Sequence, residues 1–271
     1  MSILLRPFSY ETLTKLRSKC DTFGHGSPEV ILLAEFLMMF LNVSLDDVQR
    51  FAGKDGERDA REIVPSMRNW CHSKEARRAI WHAGQALRAA KSFHPTQLKG
   101  FHAVAFYFSA LTLWVYGLII NDANLNSGLR TPIPNEPLPN HSPLDRHEPR
   151  DLLSHGLNNL HDDSTLVVLD GWDDQKVRLF INFNQGQPGL TSTNSKHSSS
   201  ASPYSSFCSL HLPRSVLMNA VSILQANYSH KSSSPPLMVR TLLGLMKKLA
   251  ELSGRDMEVA EVGLSVDGSG R

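Results

Sequence analysis

The chain has 271 residues, a formal net charge of only +2, 41% hydrophobic and 20% charged residues. That length can bury a sizeable core in one large or two small domains, and the near-neutral balance excludes the overall basic character of a compact DNA-binding module. Three scattered cysteines, Cys20, Cys71 and Cys208, make no CxxC and no disulfide framework, which favours a reducing compartment. The N-terminus lacks the continuous apolar core and cleavage site of a signal peptide.

In chain order, a short helix is expected over Thr12–Lys19. The next begins with Ser27 as N-cap and Pro28 at the first helical position, and runs through the apolar stretch Val30–Leu41, which carries one charge, Glu35. Ser44, with Asp47 three residues later, resembles a capping box. Leu45, Val48 and Phe51 share a face there, and Gly53 is placed to end the helix. Glu57–Trp70 has helical pattern, with Pro65 expected to break or restart it.

The central stretch, Ser73–Ile120, reads as two helices joined at Phe93, His94 and Pro95. In the first, Ala76, Ala79, Ile80, Ala83, Leu87 and Ala90 recur at helical spacing behind Ser73 as N-cap. The second, Phe101–Ile120, is apolar on almost every side and free of Asp, Glu, Lys and Arg, so it belongs in a protein core or in a bilayer. Ser66–Gly100 holds Arg68, Lys74, Arg77, Arg78, Arg88, Lys91 and Lys99 against Glu75 alone. Such a run is either a solvated helix face or a surface for phosphates or an acidic partner.

The texture then changes. Residues 122–150 are rich in Pro and Asn and read as a linker between an N-terminal helical part, 1–121, and a C-terminal helical part, 151–253. Within the latter, Asp151–Leu160 suits a short helix, TLVVLDGWDD is an apolar run ending in a turn, and QKVRLFINF fits strand or helix. Residues 187–206, rich in Ser and Thr, read as a disordered insertion; Pro213–Tyr228 and Pro236–Leu252 read as helices, and 254–271 as a flexible tail.

Twelve histidines include no HExxH or finger spacing, and DGWDD lacks the ligand spacing of a calcium loop. Asp46 and Asp47 suit a helix N-terminus, and His82 is expected on the exposed side of its helix. No GxSxG, Walker loop or GxGxxG occurs. An enzyme would have to draw on scattered groups such as Asp46, His82, His161 and Asp170. No catalytic, cofactor-binding or metal-binding residue is therefore assigned, and no enzyme is expected. The core is expected to include Leu45, Val48, Phe51, Ile80, Leu87, Phe106, Leu113 and Trp114.

From Gly26 to Ile120, the stretches SLDDVQRFAGK and EARRAIWHAGQ, followed by FHAVAFYFSALTLWVYGL, resemble the regulatory ("fungal-specific transcription factor") domain of fungal factors. The likeness is to factors whose DNA is read by two-cysteine two-histidine zinc fingers. VVLDGWDDQKVRLFINFNQGQPGL and PPLMVRTLLGLMKKL extend it loosely. The resemblance implies an all-α regulatory domain with long disordered linkers, working in the nucleus on transcription by RNA polymerase II. Its contacts would be with coregulators, with a second copy or with a small effector. Zinc and DNA would belong to fingers, whose cysteines these residues lack, so direct DNA contact by this chain is not expected. The rival expectation is a single-span or peripheral membrane protein anchored by Phe101–Ile120.

Overall fold

The structure, a computed structural model, describes residues 27–128, 165–192, 207–229 and 234–263, together with Glu11, Thr12, Thr14 and Lys15, which are helical. Among the described residues 71% are helical, in eight helices, and a small three-stranded sheet accompanies them. The helices are α1 (Pro28–Phe40), α2 (Leu45–Phe51), α3 (Glu57–Cys71), α4 (Lys74–Lys91), α5 (Gly100–Gly128), α6 (Gln175–Phe183), α7 (Pro213–Ala226) and α8 (Leu237–Gly263). The strands are β1 (Leu166–Val168), β2 (Gln187–Thr191) and β3 (Phe207–Ser209).

The sheet corrects the all-helical expectation. β2 pairs parallel to β1, with Val168 opposite Gly189, and antiparallel to β3, with Leu190 opposite Cys208. These strands are too short for an alternating pattern to emerge, and β2 contains Pro188 and Gly189, residues that argue against a strand when read locally. Gln187–Thr191, read as the start of a disordered insertion, is thus ordered; residues 193–206 of that insertion lie outside the described residues. So do most of the 122–150 linker, the expected helix at Asp151–Leu160 and the tail beyond Gly263. α5 continues past Asn121 to Gly128.

Local signals set most helix ends. The Ser44 hydroxyl accepts from the Asp47 N–H at 3.3 Å, and Ser73 from Ala76 at 3.0 Å. Gly53 follows the α2 C-cap with φ +89°, a left-handed conformation that favours glycine. Ser27 makes no capping bond; its hydroxyl turns to the Glu29 carboxylate, while Pro28 starts α1. QKVRLFINF is helix α6, begun by the Asp174 carboxylate accepting from Val177 at 2.9 Å and ended by Asn184 at φ +59°. Pro65 does not break α3. It lies on the exposed side, where the backbone groups it disrupts meet water, while Ile63, Met67 and Cys71 hold the buried side at four-residue spacing.

Helix α4 lies at the centre. It packs on α1, α5, α6 and α7, and thirteen of its eighteen residues are buried. Alanines at 76, 79, 83, 86, 89 and 90 let neighbours approach closely. At Gly84 the approach is closest: a Cβ there would stand 2.5 Å from the carbonyl oxygen of Leu169, just after β1. Gly117 on α5 meets the Leu210 carbonyl in the same way. The connection between α4 and α5 is tied to the end of α7. Asn227 accepts from the Leu98 N–H at 3.0 Å and donates to the His94 carbonyl at 2.9 Å, and Tyr228 donates to the Leu98 carbonyl at 2.9 Å.

Helix α5 is long and apolar enough to cross a membrane, but 72% of its apolar window is buried against other parts of the chain. Its hydroxyls are satisfied within the helix, Ser109 on Ala105 and Thr112 on Phe108, each at 2.9 Å, so they can be buried at little cost. Of the expected core residues, Val48, Ile80, Leu87, Phe106, Leu113 and Trp114 are buried, and Leu45 and Phe51 pack partly buried against them.

The Gly84 contact yields a signed prediction. Gly84→Ala should destabilise by about 1–3 kcal/mol, because the added methyl strikes backbone. Gly244→Ala in α8, where a Cβ would meet nothing within 4 Å, should stabilise by up to about 1 kcal/mol through helix propensity. Urea unfolding of the two variants checks the pair of signs.

Burial also predicts a pH dependence. It pushes the Cys71 thiol up to about 12, and burial followed by the charge of Asp170 pushes Cys208 up to about 11. Both thiols hold their protons in the fold while an unfolded thiol loses its own from about pH 9. The stability they contribute is therefore complete below that pH and declines as the pH rises toward 11. The urea midpoint should fall over this range, and fall less steeply in Cys71→Ala.

Candidate functional site

The groups singled out for chemistry do not assemble. Asp46 is exposed beside Lys54, 3.3 Å away. His82 corrects an expectation: it is 2% exposed rather than on the outer side of α4, and its Nδ1 lies 2.7 Å from Oε2 of Glu35, itself 0% exposed. A pair so deeply buried between α1 and α4 is out of reach of a substrate and serves as a polar link between the two helices. Asp170 is bound into the fold, and His161 lies outside the described residues. Among the described residues no three His, Cys, Asp or Glu side chains converge as metal ligands would.

The basic stretch is largely consumed inside the molecule. Arg77 donates from Nε to the Ile181 carbonyl at 3.0 Å and from its guanidinium to His72 and Ser73. Gln85 donates to the Leu169 and Gly171 carbonyls at 2.8 and 2.9 Å, and Arg88 donates to Gly171 at 3.0 Å. The Arg88 guanidinium also lies 3.8 Å above the ring of Trp172, which is 79% exposed. At the end of α4, Lys91 Nζ sits 2.6 Å from Asp170 Oδ2 and 2.7 Å from Thr191 Oγ1, and the Thr191 N–H donates to Asp170 at 2.8 Å. Arg68 pairs with Asp122. A solvated face is therefore a correct description of only part of this run, and a continuous phosphate-facing stripe is not formed.

A large concavity lies elsewhere, on the side of α5 turned toward α2, α3 and α8. α2–α3 and α8 each pack on α5 rather than closely on each other, and the gap between them is a half-open groove of about 890 Å³. Val104, Tyr107, Phe108, Leu111, Trp114 and Leu118 form its floor along α5. At about 1.5 Å per residue the floor is about 21 Å long. One wall comes from Phe51, Ala52 and Ala60; the other from Leu242, Leu245, Leu249 and Leu252 of α8. The ring of Phe51 meets Trp114 edge to face at 6.3 Å between centroids. Trp114 donates to the Ser253 hydroxyl at 2.8 Å, which fixes the indole between floor and wall.

Polar groups border this groove. Burial raises the Tyr107 phenol above its ordinary value. Lys54 stands at one wall and Lys248 at the other; Glu57 also borders the opening and is bonded to Arg61. The volume lies within the range of clefts that hold ligands, and the lining is mostly apolar. Sequence reasoning named Phe51 and Trp114 as core but missed the groove, because its floor and walls come from residues as much as 201 positions apart, from Phe51 to Leu252. One signal was present. On α8, Leu245, Leu249 and Leu252 recur at helical spacing beside a second stripe, Val239, Leu243, Met246 and Ala250, which the core covers. An apolar arc so wide needs more than one covering neighbour.

No protein-family model matches the chain, and neither a curated protein nor a solved structure matches it.

Proposed function

We propose that the chain is a binding domain that regulates transcription in the nucleus, as the resemblance of its sequence to the regulatory domain of fungal transcription factors implies, and that it works through the apolar groove over α5. The observation that carries this reading is the groove: about 890 Å³, lined by side chains of four helices. Two further points support a binding rather than a catalytic role. The buried acid and base, Glu35 and His82, face each other out of reach of solvent. Three of the cations of α4, Arg77, Arg88 and Lys91, are engaged within the chain, in keeping with base recognition by separate fingers and an effect on RNA polymerase II through protein or effector contact.

The rival reading places Phe101–Ile120 in a bilayer. Its length and hydropathy allow that. Insertion would strip α5 of its packing on α1, α4, α7 and α8 and expose their apolar faces to water, so the burial of α5 supports the interior position.

Tethered to an unrelated DNA-binding module upstream of a reporter, the chain should raise or lower transcription several-fold. The exposed groove variant Leu245→Asp with Leu252→Asp should remove most of that change while leaving the unfolding midpoint in place. A folded, nuclear fusion with unchanged reporter output would overturn the proposal.

A further inference from the structure

We infer that the groove over α5 seats one amphipathic helix of a partner protein, with leucine-type residues along the face it buries and carboxylates along the flanks of that face. The inference rests on the binding-domain reading above and names its ligand.

Shape gives the first argument. The floor is straight because it is one helix, and its span from Val104 to Leu118, about 21 Å, matches about four helical turns. Apolar surface is not confined to the floor. Leu245 and Leu252, seven residues apart on α8, remain 43% and 49% exposed at the open edge of the wall. An extended acyl chain is one methylene wide and can cover the floor or that edge, but not both. A helix with its side chains is about 10–12 Å across, so it reaches both at once and leaves its outer half in water, as a half-open groove requires. Such a helix would fill the gap that α2–α3 and α8 leave between them, at the spacing of ordinary helix packing.

Charge gives the second argument. Lys54 and Lys248 stand on opposite walls, so each flank of a seated helix would pass one cation. Lys54 is met in part by Asp46 at 3.3 Å across an exposed contact worth little. Lys248 is exposed on α8. Among the described residues lining the groove the one carboxylate is Glu57, paired with Arg61 across an equally exposed contact, so two lysines face a single acid there. The rim therefore selects an acidic occupant, while the floor supplies affinity through aromatic and leucine contacts.

The test uses the full chain and two synthetic, fluorescein-labelled four-turn peptides with the same leucine face, one flanked by Glu and the other by Lys. In fluorescence anisotropy the Glu-flanked peptide should bind one to one, more tightly than its twin, and more weakly as salt rises. The double variant Lys54→Glu with Lys248→Glu should lose about tenfold in affinity for the Glu-flanked peptide and gain about tenfold for the Lys-flanked one. Both lysines are exposed, so a merely structural role would not produce that exchange of preference. Leu245→Asp with Leu252→Asp should abolish binding of either peptide. Equal binding of the two peptides, or no exchange of preference, would overturn the inference. So would stoichiometric palmitate binding without peptide binding, which makes the groove a lipid site. Dimerisation lost in the Leu245→Asp, Leu252→Asp variant would also overturn it, since a second copy would then be the occupant. Peptide binding with the predicted exchange but a silent tethered reporter would uphold the groove assignment and remove the transcriptional reading.

Discussion

A helix buried over most of its surface must have every polar group it buries answered by the chain around it, and α4, with thirteen of its eighteen residues buried, is such a helix. Burying an unpaired amide or charge costs several kcal/mol, more than most single contacts return. Its sequence nevertheless brings Arg77, His82, Gln85, Arg88 and Lys91 into or beside the core. They are met from three places: His82 by Glu35 of α1, Arg77 by the end of α6, and Gln85, Arg88 and Lys91 by the turn after β1, where Thr191 also meets Lys91. These demands decide which later segment lies where. The alanines and Gly84 permit the approach, and the polar groups fix its register. Replacing one member of such a set leaves the other buried and unanswered, which is why a buried pair specifies an arrangement more than it stabilises one.

The same arrangement moves the outward-facing surface away from the basic stretch. With most of α4's cations turned to carbonyls and to Asp170, little of the run remains as a continuous charged face. α5, packed on α4 along one side, presents its other side to α2, α3 and α8, which reach it from two directions without closing over it. The Trp114 indole, held by Ser253 and flanked by Phe51, keeps floor and wall in a fixed relation. A site built on packed helices in this way is preformed, so little ordering is left for a ligand to drive.

What was legible in the sequence was local. Ser44, Ser73 and Gly53 act within four residues of themselves, so their hydrogen bonds and dihedral angle follow from the helix they bound. The period of Ala76 through Ala90 likewise identified a packed face. What escaped depends on partners far along the chain. Nothing near His82 announces Glu35, 47 residues earlier, and nothing near Arg77 announces the Ile181 carbonyl, 104 residues later. A strand as short as β1 exists because Gln187–Gly189 pairs with it. Pro65 was misread for a related reason: its propensity is against helix, but its placement on the outer side of α3 leaves the buried side intact. The groove combined both cases, since its apolar residues were visible one by one and their convergence was not.

The most direct test of this account is a double-mutant cycle on Lys91 and Asp170, whose carboxylate and ammonium lie 2.6 Å apart between α4 and the turn after β1. Lys91→Met, Asp170→Asn and the double variant would be compared by urea unfolding. If α4's polar groups hold the later half of the chain in place, the two changes couple by about 1–3 kcal/mol, the double variant being less destabilised than the sum of the singles. Strict additivity would contradict it, and would mean that the apolar contacts around Gly84 alone dock this half of the chain onto the helix.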